Sequence, residues 1–223
     1  MSLRGMPYGT MMEGNQTTAF RRQVLVKQSL EHLKEIERDA RRKLVLDAAL
    51  ELFAVKDFRS VTVREIAKQA GVSVGTIYNY YPTLMELFLD VFLTSAEKMK
   101  NGLHEMSKDG PPDLKALCRF HISFLNENMT FYQMMSHFML GGELSGVGTE
   151  KLNQTMRLLM SLIENALQTA GHKKNLRLTA HTLFSALNGI MISYARYPGR
   201  TNEEIRQHTL RLADIVADVF DNP

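Results

Sequence analysis

Apolar residues recur at spacings of three and four along almost the whole chain after residue 18. This is the period of an amphipathic helix, and no stretch of four to eight residues alternates strictly between apolar and polar as a half-buried strand does. Glycine and proline fall between the periodic stretches, for example at Gly71, Pro82 and Gly171, where they end helices or form turns. The pattern therefore predicts an all-α protein.

Two helices are expected ahead of residue 56. The first spans about Thr18–Ala40 and has a thin apolar stripe among many charged residues, which is typical of a helix that rests on a partner surface. That stripe consists of Val26, Leu30, Leu33 and Ile36. The second helix is expected to open at Arg41, with Leu44, Ala48, Leu52 and Phe53 facing inward. Residues 1–16 lack the apolar stretch of a signal peptide, and we expect a disordered leader there.

A short helix is predicted over Val63–Ala70. Thr62 and Glu65 have the spacing of a capping box, in which a hydroxyl and a carboxylate each accept a hydrogen bond from a free backbone N–H group of the other residue. Gly71 follows the helix, at the position where a left-handed residue commonly ends it.

A second short helix is predicted over Val74–Tyr81, capped by Ser73. Two short helices joined by a tight turn form a helix-turn-helix, whose second helix enters the major groove of DNA. Ile77 and Tyr81 lie four residues apart and can share the inner face. The rest of this helix is left with a polar, small and aromatic outer face, which a helix buried in a bundle does not need.

The outer face of the second helix has the chemistry of base reading. Val74 and Thr76 offer methyl groups for thymine, and Asn79 can contact adenine with two hydrogen bonds. Gly75 costs about 1 kcal/mol relative to alanine inside a helix, and close approach to a phosphate or base offsets that loss. Tyrosine hydroxyls and the helix N-termini can reach phosphate oxygens. Arg64 is positioned as a strong donor for guanine or phosphate.

These residues resemble the DNA-binding domain of the tetracycline-repressor (TetR) family over roughly residues 41–90. The resemblance rests on Ala48, Leu52-Phe53, Val61–Ala67 and Gly71–Tyr81. It implies a three-helix DNA-binding domain followed by a helical ligand-binding and dimerisation domain. The residues expected at the DNA, partly from the residues and partly from the resemblance, are Thr62, Arg64, Ser73, Val74, Gly75, Thr76, Tyr78, Asn79, Tyr80 and Thr83.

The sequence departs from the family pattern at three positions. Tyr80 stands where the family often has histidine, Tyr81 where it often has phenylalanine, and Leu84 replaces a usual lysine. The last change removes a phosphate-binding charge, which the basic run at residues 41–43 can replace. The lead-in of about 40 residues is longer than usual, and Arg21-Arg22 within it are candidates for a minor-groove arm.

Six further helices are predicted, with a dense group of aromatic and methionine residues in the middle of the set. Their spans are about Leu84–Gly102, Asp113–Asn128, Phe131–Leu140, Thr149–Ala170, Arg177–Tyr197 and Asn202–Phe220. Such residues usually form an ordinary core, but methionine also lines sites that accept varied shapes, and the resemblance implies an apolar effector pocket. The candidate lining residues are Phe92, Phe120, His121, Phe124, Met135, His137, Phe138, Met156 and Met160.

The last two helices are expected to form a dimer interface, since family members pair them with their symmetry mates as a four-helix bundle. The predicted interface residues are Leu183, Leu187, Ile190, Met191, Leu210, Ala213, Val216, Ala217 and Phe220. Such a homodimer would place two recognition helices about 34–36 Å apart on a near-palindromic double-stranded operator. The expected organisation is an N-terminal extension at 1–40, the helix-turn-helix domain at 41–87 and the effector and dimerisation domain at 88–223.

Composition narrows the function. Residues 1–84 hold 13 Lys and Arg against nine Asp and Glu, whereas the remainder holds 14 against 15, so positive charge is concentrated where DNA would bind. The single Cys118 excludes an internal disulfide and a four-cysteine zinc site, which favours a reducing, cytoplasmic location. No apolar run is long enough to span a membrane.

The sequence favours a ligand-responsive regulator that acts as a repressor, so that binding of the effector releases DNA. The alternative is a helical adaptor or ligand-binding protein of the same fold that does not use DNA, which Leu84 and the modest charge support. An enzyme is the third option, but no catalytic residues, metal ligands or cofactor are expected. The seven histidines have no metal-binding spacing, and no base adjoins Cys118 in sequence.

Overall fold

The computed structural model describes the backbone of residues 12–108, 110, 112–141 and 144–221, and no strand occurs among them. The helices are α1 (Met12–Val55), α2 (Val63–Ala70), α3 (Val74–Tyr80), α4 (Leu84–Met106), α5 (Leu114–Glu127), α6 (Met129–Met139), α7 (Gly146–Thr169), α8 (Leu176–Tyr194) and α9 (Asn202–Phe220). A 3₁₀ turn at Phe58–Ser60 joins α1 to α2. The prediction of an all-α fold is confirmed, and α9 has the predicted bounds.

The prediction of two separate helices before residue 56 is wrong, because α1 runs unbroken through Arg41. No glycine or proline occurs between Asn15 and Val55, so neither residue type interrupts the helix at Arg41. Residues 12–16 of the expected disordered leader are helical, while residues 1–11 lie outside the described part of the chain. The side chains of the expected minor-groove arm, Arg21 and Arg22, also lie outside it.

The inward face of α1 is rotated by one residue from the predicted face. Val45 and Ala49 are fully buried together with the predicted Ala48 and Phe53, whereas Leu44 is 53% exposed. The correction follows from the helical period, since 45, 49 and 53 are spaced by four and share one face. Farther upstream, the predicted stripe residues Leu30, Leu33 and Ile36 are exposed in the single chain.

One continuous hydrophobic core extends from α1 to α9. Helix α4 connects the two parts of this core, because it packs against α1 of the N-terminal part and against α6 and α7 of the C-terminal part. In the C-terminal part, α5 packs against α9, and α7 and α9 both pack against α8.

An aromatic cluster fixes the start of the chain to the C-terminal helices. The rings of Phe53, Phe58 and Phe88 meet edge to face, with centroids 5.1–6.3 Å apart. Phe58 also meets the imidazole of His137 on α6 at 5.4 Å. The hydroxyl of Thr130 donates to the backbone carbonyl of Phe53. These contacts leave no flexible linker between the first three helices and the rest.

Candidate DNA-binding and effector sites

Both predicted signals that shape α2 are present. The Thr62 hydroxyl accepts from the Glu65 backbone N–H, and the Glu65 carboxylate accepts from the Thr62 backbone N–H at 2.9 Å. The ammonium of Lys56, 2.6 Å away, and this cap hold the pKa of Glu65 at about 2. Gly71 ends α2 with φ +67°, in the left-handed region that disfavours side chains.

Helix α3 presents the predicted face outward. Ile77 and Tyr81 are buried against the core, as predicted, while Gly75, Tyr78 and Asn79 are exposed. Three other candidates, Val74, Thr76 and Tyr80, are half-buried at its margins. No charged residue lies on α3, so its outer surface consists of methyl, amide, hydroxyl and backbone groups.

Four hydroxyls of the candidate set are used in helix caps or beside them. Ser73 caps α3 by accepting from the Thr76 backbone N–H at 3.0 Å, and its hydroxyl lies 2.9 Å from the Thr76 hydroxyl. Thr83 caps α4 by accepting from the Glu86 backbone N–H. Thr62 caps α2. These side chains therefore position the helix N-termini, whose backbone N–H groups attract phosphate.

Few cations near α3 are without an ion pair. Arg64 on α2 is exposed and makes no salt bridge to any described residue, and the same holds for Lys43 and Lys68. By contrast, Arg41 pairs with Glu37, and Arg42 is held by Asp90. Of the basic run expected to replace the missing lysine at Leu84, only Lys43 thus keeps an unpaired charge within the described residues.

A buried hydroxyl ties α3 to α1 and α4, which sequence reasoning missed. Tyr81 donates to the Asp90 carboxylate at 2.6 Å and accepts from the Arg42 guanidinium at 3.1 Å. Arg42 also donates to Asp90 at 2.6 Å. Burial, followed by the bond to Asp90, raises the pKa of the Tyr81 phenol, which therefore stays protonated. The feature of the sequence that could have indicated this bridge is Tyr81 itself, which stands where the family often has phenylalanine.

The nine predicted effector-pocket residues do not line one cavity. Phe120 and His121 line a small cavity of about 20 Å³ between α4, α5, α7 and α8. Met156 and Met160 line a surface groove of about 650 Å³ between α7 and α8, and His137 lines another of about 460 Å³ beside the 3₁₀ turn. The remaining four, Phe92, Phe124, Met135 and Phe138, line none of these three spaces.

His121 has the only polar side chain among the residues that line the small cavity. Its side chain is buried, and its Nε2 atom has no hydrogen-bond partner in the structure. Burial lowers the pKa of His121 to about 4, so the imidazole is uncharged near pH 7. Its ring meets that of Phe184 edge to face at 5.7 Å. Phe184 lines both the cavity and the α7–α8 groove, and so forms the wall between them.

Most of the residues predicted to form the dimer interface are packed inside the single chain. Seven of them are buried within the single chain, namely Leu183, Leu187, Ile190, Met191, Leu210, Ala213 and Ala217, and the other two, Val216 and Phe220, are half-buried. The opposite face of the same helices carries Leu178, Ile192, Ile215 and Val219, each 59–72% exposed. On α8 the exposed pair is spaced by 14 residues, two heptads, with Gly189 and the exposed Ser185 between them on the same face.

The remaining chemistry of the chain is sparse. Cys118 is fully buried, and burial raises the pKa of its thiol to about 12. No group of three or more potential metal ligands occurs among the residues that the structure describes. Within the same residues, no helix is both long and apolar enough to cross a membrane.

Comparison with known proteins agrees with this geometry. The family model for bacterial regulatory proteins of the tetR family matches residues 45–91. The uncharacterized HTH-type transcriptional regulator YhgD of Bacillus subtilis is 27% identical over 129 residues, covering 57% of this chain and 68% of that protein. The fatty acid metabolism regulator protein of B. subtilis is 26% identical over 154 residues, covering 65% and 78%.

The same fold occurs in a solved structure of a regulator with its ligand. FadR from B. subtilis in complex with stearoyl-CoA superposes with a TM-score of 0.60 at 20% identity, over 81% of this chain and 97% of that one. The matched segment, residues 45–91, contains α2, the Gly71 turn, α3 and the start of α4. Residues 45–91 thus match the tetR family of bacterial regulatory proteins, and most of the chain has the fold of the solved regulator.

Proposed function

We propose that this protein is a homodimeric repressor that reads operator DNA with α3 and releases it when an apolar effector enters the C-terminal helices. The observation that carries the proposal is the exposed outer face of α3, which holds Tyr78, Asn79 and the backbone at Gly75 without any charged side chain. Such a face fits base edges and methyl groups in a major groove. A cytosolic location follows from the DNA target.

Contacts to phosphate would come from the rim of α3. The N-termini of α2 and α3 point unpaired N–H groups outward beside Thr62 and Ser73. Arg64 adds an unpaired guanidinium at the start of α2. Tyr80 and Thr83 remain candidates for single hydrogen bonds to phosphate. This division, in which phosphate contacts position and base contacts specify, matches DNA readers in general.

The dimer would form through the outer faces of α8 and α9. Leu178, Ile192, Ile215 and Val219 expose apolar surface there, and a Cβ at Gly189 would meet no atom of its own chain within 4 Å. An apolar face of two helices is the surface that a symmetry mate can cover as a four-helix bundle. This assignment replaces the stripe predicted from the sequence, whose members lie in the core of the single chain.

Effector control would act through α4. This helix begins directly after α3 at Leu84 and lines the small cavity with Met99 and Leu103. The link of Tyr81 to Asp90 ties the end of α3 to the same helix. A shift of α4 on effector binding would change the separation of the two reading heads, and a coupling of about 1–3 kcal/mol weakens DNA binding roughly 5- to 150-fold. The apolar lining, the similarity to the fatty acid metabolism regulator protein of B. subtilis and the stearoyl-CoA complex of FadR favour an effector with a hydrocarbon body.

The experiment is a selection of genomic fragments by the purified protein, followed by footprinting of the recovered fragments. We expect a near-palindromic site whose halves lie about one helical turn apart and whose protection spans both. Recovery of fragments without any shared sequence, at affinities equal to random DNA, would favour the helical adaptor instead.

A further inference from the structure

The small cavity between α4, α5, α7 and α8 has a single polar side chain in its lining. Ten residues line it, and nine of them are Met99, Leu103, Leu117, Phe120, Leu159, Ile163, Leu183, Phe184 and Leu187. The tenth is His121, whose Nε2 atom has no partner. A buried nitrogen left without a hydrogen bond is unfavourable, because water satisfied it in the unfolded chain.

A resident water does not account for this nitrogen. The volume of about 20 Å³ is just enough for one water molecule. A buried water, however, needs two to four polar partners, and the cavity lining offers only His121. The lining is therefore apolar except for His121, whose Nε2 atom is buried and without a partner.

The same surroundings disfavour a charged ligand group. No lining residue carries a formal charge, and the buried imidazole is neutral near pH 7. A carboxylate placed there would lose its hydration without meeting a cation. A hydroxyl can either donate to Nε2 or accept from it, and so fits both imidazole tautomers.

We infer that the effector is a largely apolar molecule with an uncharged hydrogen-bonding group, such as a hydroxyl, that binds His121 Nε2 inside this cavity. The inference rests on the proposed function, because it names the chemical class of the effector. A free carboxylate is excluded from the inner position, and only an uncharged form of an acyl compound fits.

Two side chains of the lining would have to move to admit such a molecule. The Phe120 ring lies on the backbone of α4 at Gly102, so closely that a Cβ there would be 2.5 Å from its Cζ. Phe184 separates the cavity from the α7–α8 groove, which is open to solvent and lined by Arg157, Arg177 and His181. Rotation of Phe184 would join the small cavity to this groove. A more polar part of the ligand could then lie in the groove.

The test uses three small probes of matched shape, 4-ethylphenol, 4-ethyltoluene and 4-ethylbenzoate, with affinities measured by calorimetry at pH 7.5. The phenol and the toluene differ only by a hydroxyl in place of a methyl group. We expect wild-type protein to bind the phenol about five- to tenfold more tightly than the toluene, because the hydroxyl satisfies His121. The benzoate should bind most weakly.

The decisive variant is His121→Leu, with His137→Leu as the matched control. His137 also has an unpartnered Nε2, but it lines the groove beside the 3₁₀ turn. We expect His121→Leu to reverse the preference so that the toluene binds more tightly, while His137→Leu retains the wild-type order. A merely structural histidine would change both affinities by the same factor, and the ratio would stay constant.

Three results would overturn the inference: benzoate as the tightest probe, an unchanged preference in His121→Leu, or no binding of any probe to wild-type protein. None of them affects the proposed function, because operator binding is measured separately on the same preparation. Loss of operator binding with the probe order intact would instead contradict the proposed function and leave the cavity assignment standing.

Discussion

Tyr81 shows how one hydroxyl can connect three helices. It lies directly after α3, is buried, and bridges the Arg42 guanidinium of α1 and the Asp90 carboxylate of α4. A phenylalanine would fill the same space without the bridge. The sequence shows the residue type and its inward direction, since Ile77 and Tyr81 are four apart, but the partners lie 39 and nine residues away and depend on how the helices pack.

We predict that Tyr81→Phe lowers the free energy of unfolding by about 1–2 kcal/mol, because a hydrogen bond to a charged group is lost. Urea unfolding followed by circular dichroism measures the change. Tyr78→Phe is the control, since Tyr78 is 48% exposed and its hydroxyl makes no hydrogen bond to a described residue; it should shift stability by less than about 0.5 kcal/mol. Equal effects of the two variants would argue against the bridge.

His121 predicts a pH dependence of stability. Burial lowers its pKa to about 4 from 6.5, so the unfolded chain takes up a proton first as the pH falls. The contribution of the neutral His121 to the free energy of unfolding is therefore present above pH 6.5 and is lost as the pH falls towards 4. We expect wild-type protein to lose about 2 kcal/mol more than His121→Leu between pH 7 and pH 5. Parallel stability profiles of the two proteins in urea titrations would contradict this.

At the scale of single elements, both ends of α2 and the start of α3 were predictable because they depend on local chemistry. The cap at Thr62, the left-handed Gly71 and the cap at Ser73 were all readable from side chains within three residues of each helix end. The unbroken course of α1 was not predicted. A new helix was expected to begin at Arg41, but no glycine or proline lies there to separate two helices.

The two glycines of the helix-turn-helix give opposite predictions. Gly71→Ala should destabilise the protein by about 1 kcal/mol, because its φ of +67° disfavours a Cβ although no atom lies within 4 Å of it. Gly75→Ala should stabilise the protein by up to about 1 kcal/mol, since a Cβ there would meet only Ser73 Oγ, at an ordinary 3.6 Å, and alanine favours helix.

Gly75→Ala should nevertheless weaken operator binding, because the added methyl group projects from the proposed reading face. Unfolding curves and operator titrations of both variants separate the two effects. A Gly75→Ala variant that is more stable and binds the operator as well as wild type would show that the backbone of α3 does not approach DNA closely.

For the whole molecule, helical periodicity could not tell which side of α8 and α9 faces the core. Both faces of α8 carry large apolar side chains, with Leu183 and Leu187 inside and Leu178 and Ile192 outside. Which stripe is covered depends on the positions of α5 and α7, which no local pattern records. The effector pocket had the same difficulty, since dense aromatic and methionine residues fill both core and cavity.

Assembly can be tested on the outer stripe. We predict that Ile192→Glu combined with Ile215→Glu converts the dimer to a monomer, because two buried carboxylates per chain would face their symmetry mates. Sedimentation velocity measures the mass. Val147→Glu is the matched control, since Val147 is 69% exposed at the start of α7 and lines a groove with residues of α1 and α4. A dimer that survives the double change would place the interface elsewhere.

The central claim is that α3 reads operator DNA, and a fluorescence anisotropy titration of the selected operator tests it most directly. Wild-type protein should bind with an affinity that falls steeply between two salt concentrations. Thr76→Ala combined with Tyr78→Ala should bind the operator no better than random DNA while keeping its helical circular dichroism. Undiminished operator affinity in that folded variant would contradict the account.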